Sequence, residues 1–153
     1  MTGRFVVVPA SYVYLLRQPA GAGAAPEVLL QLRQNTGFRD GHWAGAAGHV
    51  ERGETAYDAA HREAAEEIGV TGLELEFVTT MQRTGRGEAI DERVDFFFAA
   101  RRWSGEPRIV EPRKVAALGW FALDALPEPT VPHERYVLEH LLGGLPPYTT
   151  CGF

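Results

Sequence analysis

The sequence predicts an α/β domain of the α+β type, in which a mixed β-sheet lies between helices. Short runs rich in β-branched and aromatic residues alternate with connections that contain Gly or Pro, a pattern typical of strands. An alanine-rich stretch in the middle of the chain has helical periodicity with a start and a stop signal. A second amphipathic stretch near the end predicts another helix. This order of strands, helix, strands and helix favours a single sheet with helices packed against it.

The first predicted strand region covers residues 5–16, which Pro9 bends into one curved strand or divides into two. A secretory signal is the alternative, but Pro9 and two tyrosines interrupt the apolar run. Further strands are predicted at residues 28–33, 73–82, 93–100 and 117–123, with loops at residues 20–26, 34–41 and 83–91. The second helix, at residues 133–142, is predicted to turn Tyr136, Val137, His140 and Leu141 towards the core.

Composition limits the class of protein. The 153 residues predict one domain over residues 1–153, ending in a short flexible tail from about residue 144. A net charge of −5 disfavours a nucleic-acid-coating protein, so no polymeric nucleic acid is expected as partner. No apolar run has transmembrane length, so no membrane partner is expected. The single cysteine, Cys151, excludes an intramolecular disulfide, suits a reducing compartment and indicates the cytoplasm.

Residues 55–70 carry the clearest chemical signal. Thr55 and Asp58 predict a capping box, and Gly69 predicts the end of the helix. Tyr57, Ala60, Ala64 and Ile68 form an apolar stripe at helical spacing. Three carboxylates, Glu63, Glu66 and Glu67, share one face beside that stripe. Like charges at this spacing repel, so the pattern suits a site for a hard divalent cation. A solvated, Glu-rich helix is the alternative.

The segment around this helix resembles the Nudix box of the Nudix hydrolase family. Residues 48–70 match its fixed positions, which here are Gly48, Glu54, Arg62, Glu63, Ala64, Glu66, Glu67, Gly69 and Val70. Gly48, Glu54, Arg62 and Gly69 are interpreted as structural residues of this motif. Arg62 has several donors on one plane and suits bridging Glu54 or another acid. Glu54 is interpreted either as a capping acid or as a further acid near the site.

The resemblance implies a Nudix-type α/β/α sandwich and hydrolysis of a nucleoside diphosphate linked to another group. It implies Mg²⁺, with Mn²⁺ as the alternative, bound by Glu63, Glu66, Glu67 and the carbonyl of Ala47. Glu111 lies where many family members carry a loop acid that acts as ligand or base; an ordinary loop glutamate is the alternative, and Glu88, Asp91 and Glu92 are weaker rivals. The catalytic set is therefore Glu63, Glu66, Glu67 and Glu111, and either Glu63 or Glu111 is the base. Family members are often dimers, which implies a possible homodimer.

The residues around the motif bear on the substrate. Arg33, Arg83 and Arg86 are candidate phosphate-binding residues, because a polyphosphate needs cationic donors as well as metal. Family signatures for ADP-ribose, dinucleoside polyphosphates, NADH and coenzyme A do not occur downstream of the box. A small nucleoside triphosphate, cleaved to monophosphate and pyrophosphate, is therefore the expected substrate. The alternatives are another nucleoside diphosphate derivative, or a nucleotide-binding module without turnover. Relatives acting on oxidised purines often carry a tryptophan and paired acids where this chain has Val131, His133 and Glu134.

Overall fold

The computed structural model describes residues 3–85 and 87–153 and confirms the predicted fold class, a mixed sheet with two helices. The strands are β1 (Val8–Arg17), β2 (Glu27–Arg33), β3 (Trp43–Ala44), β4 (Ala46–His49), β5 (Leu75–Arg83), β6 (Arg93–Ala100), β7 (Val115–Ala122) and β8 (Tyr148–Cys151). The helices are α1 (Ala56–Ile68) and α2 (Pro132–His140), and a short 3₁₀ turn covers Ala89–Asp91. None of the helices in the described residues has the length and apolar character needed to cross a membrane.

Strand β1 is the centre of the sheet. It pairs in parallel with β6, while its first half pairs with β4 and its end pairs with β2, both antiparallel. Strand β2 also pairs with β3 and β7, and β5 pairs with β6. The sheet is mixed because both β1 with β6 and β5 with β8 run in parallel. Strands β2 and β4 therefore join β1 directly, and strands β3 and β7 join it through β2.

The two faces of β1 pack against the two helices. Val13 and Leu15 belong to a buried cluster with residues of α1, whereas Tyr12, Tyr14 and Leu16 belong to a second cluster with residues of α2. This division follows from the alternation of side chains along a strand. It also explains why β1 reads as a nearly continuous apolar run, since neither face meets water.

Helix α1 begins and ends where the sequence predicts. Thr55 and Asp58 form the capping box, and Gly69 ends the helix with a φ of 71°. In this left-handed conformation glycine avoids the strain that a Cβ imposes. Ala60, Ala64 and Ile68 are buried as predicted, but the predicted fourth member of the stripe, Tyr57, is 49% exposed. Tyr57 lies in the first turn, where its ring stacks edge-on against His61 at the protein surface.

The buried face of α2 differs from the predicted one. Val137 is buried, but Tyr136 is 41% exposed and His140 is exposed. The inward residues are His133, Glu134, Val137 and Leu138. Two of these are polar and find hydrogen-bond partners inside the protein, which a prediction based on hydrophobic spacing cannot detect.

The structure also corrects the ends of the chain and adds strands. The first strand begins at Val8, and Phe5 and Val6 before it are exposed. Strands β3 and β4 were not predicted, since each is too short to show a period. The predicted flexible tail contains β8, which lies parallel to β5. The buried hydroxyl of Thr79 donates to the carbonyl of Pro146 at 2.8 Å and lies 3.1 Å from the hydroxyl of Thr149.

Deleting residues 146–153 should lower the free energy of unfolding by about 2 kcal/mol or more, because the edge of β5 and the buried hydroxyl of Thr79 lose their partners. Deleting residues 152–153 alone leaves β8 intact and is the matched control, with an expected change within about 0.5 kcal/mol. Urea denaturation of the three proteins measures both values. Equal stability of the two deletions would show that β8 does not contribute to the folded sheet.

Candidate metal and substrate site

A polar cavity of about 670 Å³ lies where α1, β4 and the loop before β7 meet. Four carboxylates line it, those of Glu63, Glu66, Glu67 and Glu111. The structure thus brings together the three acids predicted from α1 and the acid predicted from the loop. Other lining residues include Arg33, Asn35, Gly45, Ala47, His49 and Lys114. The rival loop acids Glu88, Asp91 and Glu92 are not among them.

Glu67 is fixed to the backbone of β4. The amide of Ala47 donates a hydrogen bond to its Oε2 at 2.7 Å. Burial raises the pKa of Glu67 to about 8, and the charges of Glu63 and Glu111 add to this effect against the opposing hydrogen bond from Ala47. A carboxyl group in this position is costly to ionise in the absence of a cation, and a bound cation reverses this preference.

Gly48 leaves the space that Glu63 occupies. A Cβ on Gly48 would overlap the carboxylate of Glu63, so any other residue would displace that side chain or the strand. Burial raises the pKa of Glu63, and its contact with Arg62 opposes this shift. Gly48 therefore lets β4 approach α1 closely enough for Glu63 to reach the cavity.

Arg62 connects the acids of this region. Its Nε and Nη2 donate to the two oxygens of Glu54 at 3.1 and 2.6 Å, which is the bridge expected from the sequence. Its Nη1 donates to Glu63 at 2.7 Å and to Glu66 at 3.3 Å, and its Nη2 also donates to the carbonyl of His49. The hydrogen bond from Arg62 lowers the pKa of Glu54. A lysine, with one nitrogen, cannot reproduce this planar arrangement of donors.

The donor set suits a hard divalent cation. Carboxylate oxygens are the ligands that Mg²⁺ prefers, and the acids around the cavity raise one another's pKa. Within residues 3–85 and 87–153, however, no three His, Cys, Asp or Glu side chains already converge on one point. Arg62 instead engages Glu63 and Glu66. A metal ion bound in the cavity would therefore compete with Arg62 for the carboxylates of Glu63 and Glu66.

The backbone at Ala47 has a conformation that suits an alanine. A positive φ would strain any residue with a Cβ. Ala47 instead lies in the extended strand β4, opposite Tyr12 of β1. Among the described residues other than glycine, only Asn35 and Arg39 have a positive φ. Alanine is therefore compatible with the position that the resemblance assigns to a metal-binding carbonyl.

A smaller cavity of about 240 Å³ adjoins the first, and the two share Arg33, Gly45, Ala47 and His49. Of the predicted phosphate-binding residues, Arg33 lines both cavities and Arg83 lines the smaller one. Arg86 lies outside the described residues. Arg83 donates to buried Asp95 at 2.8 Å, whereas Arg33 donates to Thr36 and the carbonyl of Phe38. Of the two predicted arginines that the structure describes, Arg33 adjoins the acidic cavity and Arg83 does not.

Several residues of the two cavities were missed in the sequence. His133 and Glu134 of α2 line the smaller cavity together with Tyr12 and Arg93, and Lys114 lines the larger one. No spacing signal connects these positions, since they come from distant strands, a loop and α2. Aromatic rings can stack on a nucleotide base, but neither cavity is lined by Phe96, Phe97, Trp120 or Tyr136. Phe97 is fully buried and stacks with Tyr12 in the core.

Comparisons with known proteins identify the family of the chain. A family model described as NUDIX domain matches residues 8–141. The chain is 32% identical over 108 residues to the oxidized purine nucleoside triphosphate hydrolase of Danio rerio, covering 65% of this chain and 61% of that protein. It is 33% identical over 96 residues to the NAD-capped RNA hydrolase NudC of Citrobacter koseri, covering 63% of this chain and 35% of that protein.

Among solved structures, the MutT NUDIX hydrolase from Burkholderia pseudomallei matches with a TM-score of 0.68 and 32% sequence identity. That match covers 84% of this chain and 96% of the Burkholderia chain. By contrast, the matches to the two curated relatives span 61% and 35% of those proteins' lengths.

The raised pKa of Glu67 predicts a pH-dependent stability in the absence of metal. The unfolded chain releases this proton near pH 4.3, while the folded protein retains it up to about pH 8. Glu67 therefore weakens the folded state progressively as pH rises between these values. Glu67→Gln, which cannot ionise, should gain stability relative to wild type from pH 5 to pH 8, by about 1.4 kcal/mol or more.

Urea denaturation in EDTA at several pH values measures this difference. The lowered pKa values of His49 and His133 act in the opposite direction but cancel in the comparison, because both proteins contain these residues. Excess Mg²⁺ should reverse the order of stability at pH 8, since a cation favours ionised Glu67. A difference that does not change with pH would contradict the assigned titration.

Proposed function

Because the chain belongs to the NUDIX domain family, we propose that it hydrolyses a diphosphate linkage in a nucleoside diphosphate derivative, with Mg²⁺ or Mn²⁺ bound by Glu63, Glu66, Glu67 and the carbonyl of Ala47. The observation that carries this proposal is the convergence of four carboxylates on one cavity next to Arg33. Such a concentration of negative charge is unfavourable unless a cation balances it. The proposed substrate is anionic, so the same cation also compensates its charge.

The bound metal supplies charge neutralisation of the diphosphate and lowers the pKa of a coordinated water. The protein's own residues then divide the remaining work. Arg33, at the boundary of the two cavities, donates to phosphate oxygens. Glu63 or Glu111 accepts the proton of the attacking water. Water adds at one phosphorus, the bridging P–O bond breaks, and each product carries a terminal phosphate.

Glu111 is suited to the role of base by its position. Its side chain lies in the loop before β7 and lines the cavity, 44% exposed and 3.7 Å from the ammonium of Lys114. Glu63, by contrast, is more enclosed and receives a hydrogen bond from Arg62. A carboxylate that faces both the cavity and solvent is open to an attacking water, whereas an enclosed one is already occupied by its partners. This difference favours Glu111 over Glu63.

A nucleoside triphosphate, cleaved to the monophosphate and pyrophosphate, is the proposed substrate. The Danio rerio relative is named as an oxidized purine nucleoside triphosphate hydrolase, which supports the triphosphate. His133 and Glu134 stand where relatives acting on oxidised purines often carry paired acids, so the proposal does not extend to the oxidised base. The Citrobacter koseri relative, an NAD-capped RNA hydrolase, favours a dinucleotide diphosphate as the second candidate.

The ligand class, the cellular location and the oligomeric state are proposals as well. The proposed ligand is a small nucleotide, and the proposed location is the cytoplasm, on the basis of the single cysteine. A homodimer remains a prediction from the family resemblance. A nucleotide-binding module without turnover is less favoured, because the acids that would be dispensable in such a module all line the cavity.

Glu66→Gln and Glu67→Gln should each lower kcat/KM by about 100-fold or more, because each removes a charged metal ligand. Phosphate and pyrophosphate release is measured with Mg²⁺ on nucleoside triphosphates, ADP-ribose and dinucleotides. The same assay identifies the substrate and measures the loss of kcat/KM in each variant. Glu74→Gln, an exposed change outside the cavity, is the matched control and should retain activity.

Three results would count against the proposal. Folded wild-type protein that cleaves none of the diphosphates would favour the binding module. Activity that survives both substitutions would place the reaction elsewhere or in a contaminant. A loss of equal size in Glu74→Gln would show that the effect is not specific to the cavity.

A further inference from the structure

Glu134 of α2 is a buried carboxylate that the proposed reaction does not use. Its residue is 3% exposed. Its Oε1 accepts two hydrogen bonds, from the hydroxyl of Tyr14 and from the amide of Gly45, each at 2.9 Å. Isolating a carboxylate from water is costly unless such donors compensate it. The two donors come from β1 and from the residue before β4, so one carboxylate joins three parts of the fold.

The backbone of Gly45 packs directly against the ring of Tyr14 and leaves no room for a side chain. A Cβ at this position would lie 2.5 Å from the ring of Tyr14, the same residue that donates to Glu134. Two residues later, the amide of Ala47 donates to Glu67 of α1 at 2.7 Å. The backbone of residues 45–47 therefore donates hydrogen bonds to two carboxylates, one from each helix, in addition to its pairing with β1.

We propose that Glu134 is a positioning residue that fixes the backbone of residues 45–47, so that Ala47 and Glu67 present their oxygens to the metal ion. This inference rests on the proposed function, since it assigns Glu134 a role in the same metal site. Glu134 does not line the larger cavity and lies outside the proposed ligand set. Its effect on the metal is transmitted through the Gly45 amide and the short strand β4.

Glu134→Ala should weaken Mn²⁺ binding by about 10-fold or more, the usual effect of losing an outer hydrogen-bond partner of a metal site. In the metal-free protein, it should also accelerate hydrogen exchange of the Gly45 amide, which loses its acceptor. Glu134→Gln keeps an oxygen that accepts both hydrogen bonds, so it should bind Mn²⁺ within about 3-fold of wild type. The exposed Glu139→Gln on the same helix is the matched control.

Electron paramagnetic resonance of free Mn²⁺ gives the affinities, and NMR gives the exchange rates, both at a temperature where circular dichroism shows each variant folded. A purely structural role would lower the melting temperature of Glu134→Ala without changing the Mn²⁺ affinity of the folded protein. If the alanine variant does not fold, Glu134→Asp supplies the test, because its shorter side chain cannot reach both donors.

The outcomes separate this inference from the proposed function. Wild-type protein that binds no Mn²⁺ overturns the proposed function, and the inference falls with it. Wild-type binding with an unchanged affinity in Glu134→Ala overturns the inference alone. An unchanged Mn²⁺ affinity with a raised KM for the nucleotide would show that Glu134 contacts the ligand in the smaller cavity, which also overturns the positioning role.

Discussion

The burial of both faces of β1 is the constraint on which the rest of the structure depends. One face supplies Val13 and Leu15 to the cluster beneath α1, and the other supplies Tyr12, Tyr14 and Leu16 to the cluster beneath α2. Since β1 also pairs with β2, β4 and β6, it determines the positions of both helices and of the strand that contains Ala47. The acids of α1 reach β4 because both elements pack on this strand.

The cavity brings together groups that oppose one another electrostatically. Glu63 and Glu111 raise the pKa of Glu67, while Arg62 engages Glu63 and Glu66. Arg62 thus shares its partners with the proposed metal ion. Its bidentate contact with Glu54 is independent of the cavity, so the guanidinium keeps its position when Glu63 and Glu66 turn towards a cation. In the absence of metal, Arg62 therefore balances part of the negative charge of Glu63 and Glu66, and it does so without lining the cavity.

The sequence predicted the features that depend on local rules. The limits of α1 follow from its capping box and from Gly69, and β6 was predicted with its observed bounds because its apolar run is continuous. Strands β3, β4 and β8 were missed because two to four residues show no period, and their pairing depends on distant partners. The prediction of which residues of α2 face the core was wrong because two of the buried residues, His133 and Glu134, are polar.

The same distinction applies to the site. Glu63, Glu66 and Glu67 share a helix face, so spacing alone placed them together. Glu111 was predicted from the family resemblance and its loop position, and Arg33 from its charge; both line the cavity. Glu134 gave no such signal: a glutamate in the first turn of an amphipathic helix normally faces water, where it also favours the helix dipole. Only the fold shows that Tyr14 and Gly45 surround it.

The two carboxylates that fix residues 45–47 differ in what a cation does to them. Glu67 lies in the cavity, where a metal ion would take over part of the compensation now given by the Ala47 amide. Glu134 does not line that cavity, so its contacts with Tyr14 and Gly45 would not compete with a metal ion. One end of this backbone segment is therefore fixed by the protein alone, while the other end responds to the ligand. Because β4 also pairs with β1, its position would be retained while Glu63 and Glu66 exchange Arg62 for a cation.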